Sequence, residues 1–326
     1  LLIYLPVTLH NMKRLMRRSW HIVSSAGRFR QYDLIISELL TTAWHGMVLG
    51  KLARRSVILD EHNIEWLLAY QLGLKARYNW RLLQRYEKMC WRNFDHTTVT
   101  SQKDKGTVVD GCGKSDSEKV SVVPNGVDCS IFTRNEVQRE IMRNRYSINE
   151  RPTILFMGSF GYFPNVDAAQ TIIKEIYPLV KKLVPNILFM FIGREAEELV
   201  TPTVKDFFVP GLVNDVPSHI NASDICIAPL RFGSGTRLKI LEWMACGRAV
   251  IATEKAAEGL DVAHGENIII ENDIERYAFW IAKLLAEQDI REKIGRNARA
   301  LVETKYEWKA CILPMVSAIK GVLELN

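Results

Sequence analysis

Residues 228–253, APLRFGSGTRLKILEWMACGRAVIAT, constrain the chain most, because one unbroken run reads as strand end, glycine loop, helix and second strand. Gly233 and Gly235 permit left-handed backbone angles and the close approach of a ligand. Thr236 is the expected N-cap, with Arg237 and Lys239 in the first turn. Leu238, Leu241, Met244 and Ala245 recur at helical spacing, so one face of the helix is buried. Gly247 closes it, and residues 248–253 have the branched apolar run of an interior strand.

A glycine loop that opens into a helix gathers free backbone N–H groups at the positive end of the dipole, an arrangement that attracts anions. Two cations beside that end are unfavourable on their own, and an anion between them removes the conflict. Arg237 and Lys239 are therefore candidate phosphate ligands. Glu242 is six residues past the expected cap, about 9 Å along the axis at ~1.5 Å per residue. Its side chain leans back toward the N-terminus. A carboxylate there accepts hydrogen bonds from ribose hydroxyls while a diphosphate rests on the loop, which suits a nucleotide-diphosphate sugar. The plainer alternative is an ordinary βαβ unit with surface cations, since a lone glycine loop is a weak signal.

A length of 326 residues suits two domains, each with a sizeable core. Six cysteines, at 90, 112, 129, 226, 246 and 311, lack metal-ligand spacing and read as reduced thiols. No apolar run reaches about 18 residues, and no signal peptide is visible. The expected location is therefore the cytoplasm. The chain does not begin with Met and opens within apolar sequence, so a missing N-terminal piece is expected.

Charge divides unevenly. Residues 1–150 carry 23 Lys and Arg against 15 Asp and Glu, and the remainder carry 20 against 22. A basic half beside a near-neutral half points to an anionic partner for the first half. The familiar nucleic-acid motifs are absent, so nucleic acid is not expected. Met12, Leu15, Met16, Trp20 and Val23 form one stripe with Lys13, Arg14, Arg17 and Arg18 off it. That pattern fits a basic amphipathic helix on anionic lipid at the inner face of a membrane. The plainer reading, placed first, is a helix packed on its own sheet with a solvated basic face.

Strand-like runs at 32–37, 56–60, 96–101 and 119–128 alternate with helical stretches at 41–55 and 65–94. A second series follows, with strands at 153–158, 187–193, 207–211, 224–229 and 248–253, and an edge strand at 268–270. Helical stretches lie at 166–184, 215–221, 273–287 and 288–304. This alternation implies an α/β protein with doubly wound parallel sheets. Residues 136–152, charged and containing Asn-Glu-Arg-Pro, read as a linker between domains at 1–135 and 153–306. His62 stands at a strand end, where ligands of such sheets gather, and is a candidate substrate contact; a lone histidine is as readily structural.

The ordered motifs carry a resemblance. VVPNGVD, MGS with YFPNVDA, FIG, VPGLVNDV, APL, GSGTRLKILEWMACG and EGL follow one another between residues 122 and 260. This set resembles the retaining glycosyltransferases of family 4 (group 1), above all bacterial sugar transferases of polysaccharide pathways. The resemblance implies a GT-B fold, with two Rossmann-like domains facing across a cleft and a last helix, 307–326, crossing back to the first. It implies transfer of a hexosyl unit, with retention, from a nucleotide-diphosphate sugar to a glycan or lipid-linked acceptor. Catalytic roles fall to His62, Arg237 and Lys239. Donor contacts fall to Gly158, Ser159, Gly161, Gly211, Val213, Phe232, Gly233, Ser234, Gly235, Thr236 and Glu242. No metal and no cofactor besides the donor are expected.

Three departures stand out. The family carries a glutamate eight residues before Glu242, and this chain has Ser234 there. The Arg and Lys usual after the first strand of the second domain are missing from GSFGYFP, and Arg237 and Lys239 are the candidates to replace them. The glycine-rich loop after the family's first strand is also absent. Rival readings are a GT-B nucleotide-sugar epimerase and a degenerate nucleotide-binding module.

Overall fold

The computed structural model describes residues 30–71, 80–148, 150–199, 205–233 and 235–324. The basic stripe at 12–23 and Ser234 lie outside the described residues. The chain forms two compact units. Unit 1 comprises residues 1–124, 234–236 and 311–326, and unit 2 comprises residues 125–233 and 237–310.

In unit 1, β1 (Leu34–Glu38), α1 (Leu40–Ala53), β2 (Ser56–Glu61), α2 (Glu65–Gln71), α3 (Trp80–Asn93), β3 (His96–Val99), α4 (Gln102–Cys112) and β4 (Val120–Val122) follow in order. The strands form one parallel sheet in the order β1-β2-β3-β4. Val57, Leu59 and Val99 pack with Met47 of α1, Cys90 and Trp91 of α3, and Val108 of α4. The strand expected within 119–128, ending in Pro-Asn-Gly, stops at Val122, two residues before Pro124, which has no N–H to donate to a ladder.

Unit 2 opens with α5 (Glu136–Arg145). The stretch expected to be a linker thus contains a helix capped by Asn135, whose side chain accepts from Gln138 N. Arg139 and Arg143 face inward. Arg139 pairs with Asp224, and Arg143 donates to Ala222 O at 2.8 Å and to Arg151 O at 2.7 Å. A charged run is therefore anchored by carbonyls and a carboxylate from elsewhere in the unit. Then come β5 (Thr153–Met157), α6 (Phe163–Thr171), a π-turn at Ile172–Ile176, α7 (Tyr177–Leu183), β6 (Leu188–Ile192), β7 (Phe207–Gly211), α8 (Val216–Ala222), β8 (Ile225–Ala228), α9 (Leu238–Ala245), β9 (Ala249–Ala252), β10 (Ile269–Ile270), α10 (Ile274–Ala286) and α11 (Gln288–Lys305).

The second sheet has the order β10-β9-β8-β5-β6-β7, parallel throughout. Every residue of β5, β6, β8 and β9 is buried, as expected for strands covered on both faces. The last two helices are α12 (Trp308–Cys311) and α13 (Leu313–Glu324), and α13 packs on β2, β3 and β4 within unit 1.

Candidate functional site

In unit 2, β5 and β8 are neighbours whose connections diverge. After β5 the chain proceeds to β6 and β7 on one flank, and after β8 to β9 and β10 on the other. Diverging connections open a crevice at the carboxyl ends of the two strands, where open α/β sheets bind ligands. Gly158 follows β5, Gly211 ends β7, Val213 follows it, and Phe232 and Gly233 lie in the loop after β8. The loop then feeds α9, whose first turn carries Lys239.

Gly233 has φ +118° and Gly235 φ +74°, the left-handed angles expected of both. Arg237, rather than Thr236, occupies the N-cap of α9, and no side chain caps the helix. Glu242 is therefore five residues past the cap, not six. Ser234 is outside the described residues, and Gly235 and Thr236 group with unit 1.

Arg237 folds back over the loop. A Cβ on Gly233 would clash with its Nη2 and meet Tyr162 Oη at 3.6 Å. Lys239 is half-buried, and its Nζ donates to Asn165 Oδ1 at 2.8 Å while standing 4.8 Å from the Phe156 ring centroid. Burial and the neighbouring Arg237 charge push its ammonium down to about 7, against the pull of Glu242. Glu242 is half-buried, and desolvation raises its carboxyl while Lys239 opposes the rise.

The rim is built from the same loops. Asn165 Nδ2 donates to Ser159 O at 2.8 Å. The rings of Phe163 and Phe232 lie 5.6 Å apart. A Cβ on Gly161 would meet the Glu195 carboxylate at 2.9 Å. Arg231 is held by Asp167 through two bonds of 2.9 and 2.5 Å, which leaves Arg237 and Lys239 as the cations at the helix start.

His62 belongs to unit 1. Its Nε2 donates to Asp60 Oδ2 at 3.3 Å and stands 3.9 Å from Glu38 Oε1. The Asp60 hydrogen bond raises the His62 pKa against partial desolvation. Burial works to raise Asp60, but hydrogen bonds from His62 and Thr98 outweigh it and hold the carboxyl low.

Two groups escaped the sequence reading. Asn165 stood in the YFPNVDA motif with no role assigned, although an amide just past a strand end was a visible signal. The second is a buried acid pair, Glu61 and Glu87, in unit 1. Glu87 accepts from Glu65 N at 2.8 Å and Trp66 N at 3.0 Å, capping α2 from α3. Glu61 is 2% exposed. The spacing of Glu87, Cys90 and Trp91 on one helical face was the available sign. Among the described residues there is no group of three or more potential metal ligands, and no helix is long and apolar enough to cross a membrane.

Comparison with known proteins follows this geometry. Residues 151–287 match a family model described as glycosyl transferases group 1, and residues 2–131 match one described as glycosyltransferase family 4. An uncharacterized glycosyltransferase of Methanocaldococcus jannaschii is 30% identical over 283 residues, covering 82% of this chain and 69% of that protein. A GDP-mannose-dependent alpha-(1-6)-phosphatidylinositol monomannoside mannosyltransferase of Mycobacterium tuberculosis is 23% identical, covering 90% of this chain and 79% of the relative. Among solved structures, Anabaena HepE in complex with UDP superposes with TM-score 0.77 at 16% identity, over 92% of this chain and 82% of that one. Sucrose-phosphate synthase from Thermosynechococcus elongatus gives 0.74 at 18% identity, over 94% and 80%. These two likenesses concern the fold.

Proposed function

The chain belongs to the glycosyltransferase family, with the GT-B fold, and on that premise we propose that it moves a hexosyl unit from a nucleotide-diphosphate sugar to an acceptor hydroxyl with retention. One observation carries the reading: Arg237 and Lys239 stand together at the start of α9, beside the crevice where β5 and β8 diverge. Two cations and a helix N-terminus are what a departing diphosphate requires.

The diphosphate rests on the loop at Gly233, and negative charge developing on it is met by Arg237, Lys239 and the backbone amides. Glu242 accepts from the ribose hydroxyls. The base lies toward Gly211 and Val213, and the sugar toward Ser159 and Gly161. The acceptor hydroxyl attacks the face from which the diphosphate leaves. His62 hydrogen-bonds the donor sugar or the acceptor near the anomeric carbon. The solved structure of HepE with UDP and the GDP-mannose-dependent relative support a nucleoside diphosphate donor, and they differ in the base. The acceptor is a glycan or a lipid-linked sugar, and the basic first half suits work at an anionic membrane surface.

The test is a panel of UDP- and GDP-sugars, read first by thermal shift and then by sugar transfer to glycan and lipid-linked acceptors. Lys239→Ala should lower turnover by ~10²–10³, the usual loss of one charge-stabilising donor. Unchanged turnover would remove the phosphate assignment. Product with inverted anomeric configuration would remove retention.

A further inference from the structure

We propose that Asn165 is a positioning residue that aims the Lys239 ammonium at the leaving diphosphate, an inference that rests on the donor-site reading above. Asn165 is 8% exposed, in the first turn of α6. Its amide is engaged at both ends. Oδ1 accepts from Lys239 Nζ at 2.8 Å, and Nδ2 donates to Ser159 O at 2.8 Å. The orientation is dictated chemically, because an ammonium has no acceptor to offer and a carbonyl has no donor.

The surroundings show why an amide suits this position. The groups facing Lys239 are the Arg237 and Glu242 charges on its own segment, the neutral Asn165 amide from α6 and the Phe156 ring from β5. Asp167, two residues on from Asn165, is engaged by Arg231. A neutral acceptor holds the ammonium in place and leaves its charge available to a ligand. A carboxylate at the same distance would hold it and cancel much of that charge. Gly158 completes the arrangement. A Cβ there would come within 2.7 Å of Asn165 Nδ2 and 2.9 Å of Lys239 Nζ, so a bare backbone makes room for the pair.

Asn165→Ala, Asn165→Asp, Lys239→Ala and the Asn165→Ala/Lys239→Ala double variant decide the matter, with folding checked by circular dichroism. UDP and GDP affinities come from calorimetry, and the Lys239 titration from competitive acetylation with peptide mass spectrometry. Asn165→Ala should weaken nucleotide binding ~10-fold, the scale of one hydrogen bond to a charged group. The double variant should bind no more weakly than Lys239→Ala alone, because Asn165 acts through Lys239. Asn165→Asp should keep Lys239 protonated to a pH at least about one unit higher and still bind nucleotide less well than the parent protein.

Independent, multiplying losses in the double variant would overturn the proposal and assign Asn165 to support of the Ser159 carbonyl. A Lys239 titration unmoved in both Asn165 variants would overturn it as well. Should the parent protein bind neither UDP nor GDP, the donor-site reading fails. The Lys239 titration then decides the Asn165 tether separately. Asn165→Asp supplies that comparison if Asn165→Ala does not fold.

Discussion

Trp91 Nε1 donates a 2.7 Å hydrogen bond to Glu61 Oε2, with both side chains buried in unit 1 and Glu61 next to His62 in sequence. Burial raises the Glu61 carboxyl well above its usual range, and the nearby Glu87 charge adds to the rise. Burial likewise pushes Glu87 to about 8 and Glu65 to about 7. These acids hold their protons at pH values where an unfolded chain has released them. Their contribution to stability is complete below the unfolded value of 4.5 and is lost as pH rises through the folded values. Glu61→Gln retains an acceptor for Trp91 and removes one titration. Its stability relative to the parent should be similar near pH 4.5 and better at about pH 8, where the parent's buried carboxyl is disfavoured relative to the ionised group of the unfolded chain. Urea unfolding at both pH values checks this.

Lys239 carries a different pH signature. Its ammonium is pushed down to about 7 in the free protein, and a bound diphosphate favours the charged form. Nucleoside diphosphate affinity should therefore fall as pH rises above about 7, by up to ~10-fold per pH unit, with proton uptake on binding. Calorimetry in buffers of different ionisation enthalpy reads the uptake. Lys239→Arg should remove the titration, because a guanidinium stays charged across this range.

Gly158 tests the packing of the crevice separately from its charge. Gly158→Ala places a methyl group against Asn165 Nδ2 and Lys239 Nζ. Overpacking of this kind costs about 1–3 kcal/mol. The variant should melt lower than the parent and bind UDP and GDP more weakly. A melting temperature and affinities equal to the parent's would show that the two side chains move aside freely.

His62 owes its raised pKa chiefly to the Asp60 hydrogen bond. Asp60→Asn removes the charge that favours imidazolium, so the His62 titration should move to lower pH. The titration of the ring in NMR spectra measures the shift. Stability linked to His62 is complete below the unfolded value of 6.5 and lost as pH rises through the raised folded value, so Asp60→Asn should flatten that loss.

The strand at Phe207–Gly211 and the helices at Leu40–Ala53 and Gln288–Lys305 were readable from periodicity and composition nearly to the residue, because the strand is a short apolar run ended by glycine and each helix buries a stripe of apolar and small residues. The glycine loop was readable for the same local reason, since its angles suit a residue without Cβ. The helix at Glu136–Arg145 was not. Arg139 and Arg143 look solvated in sequence, and they are satisfied by Asp224, Ala222 and Arg151, up to 85 residues away.

The sequence by itself determined the alternating strands and helices, the loop at 233–235 and the choice of Arg237 and Lys239 as its cations. These are encoded by neighbours along the chain. The tertiary structure alone decided that β5 and β8 lie side by side, that Asn165 meets Lys239 across 74 residues of chain, and that the ammonium sits near neutrality. Strand order and desolvation depend on which distant segments pack together, and local sequence carries no direct record of that.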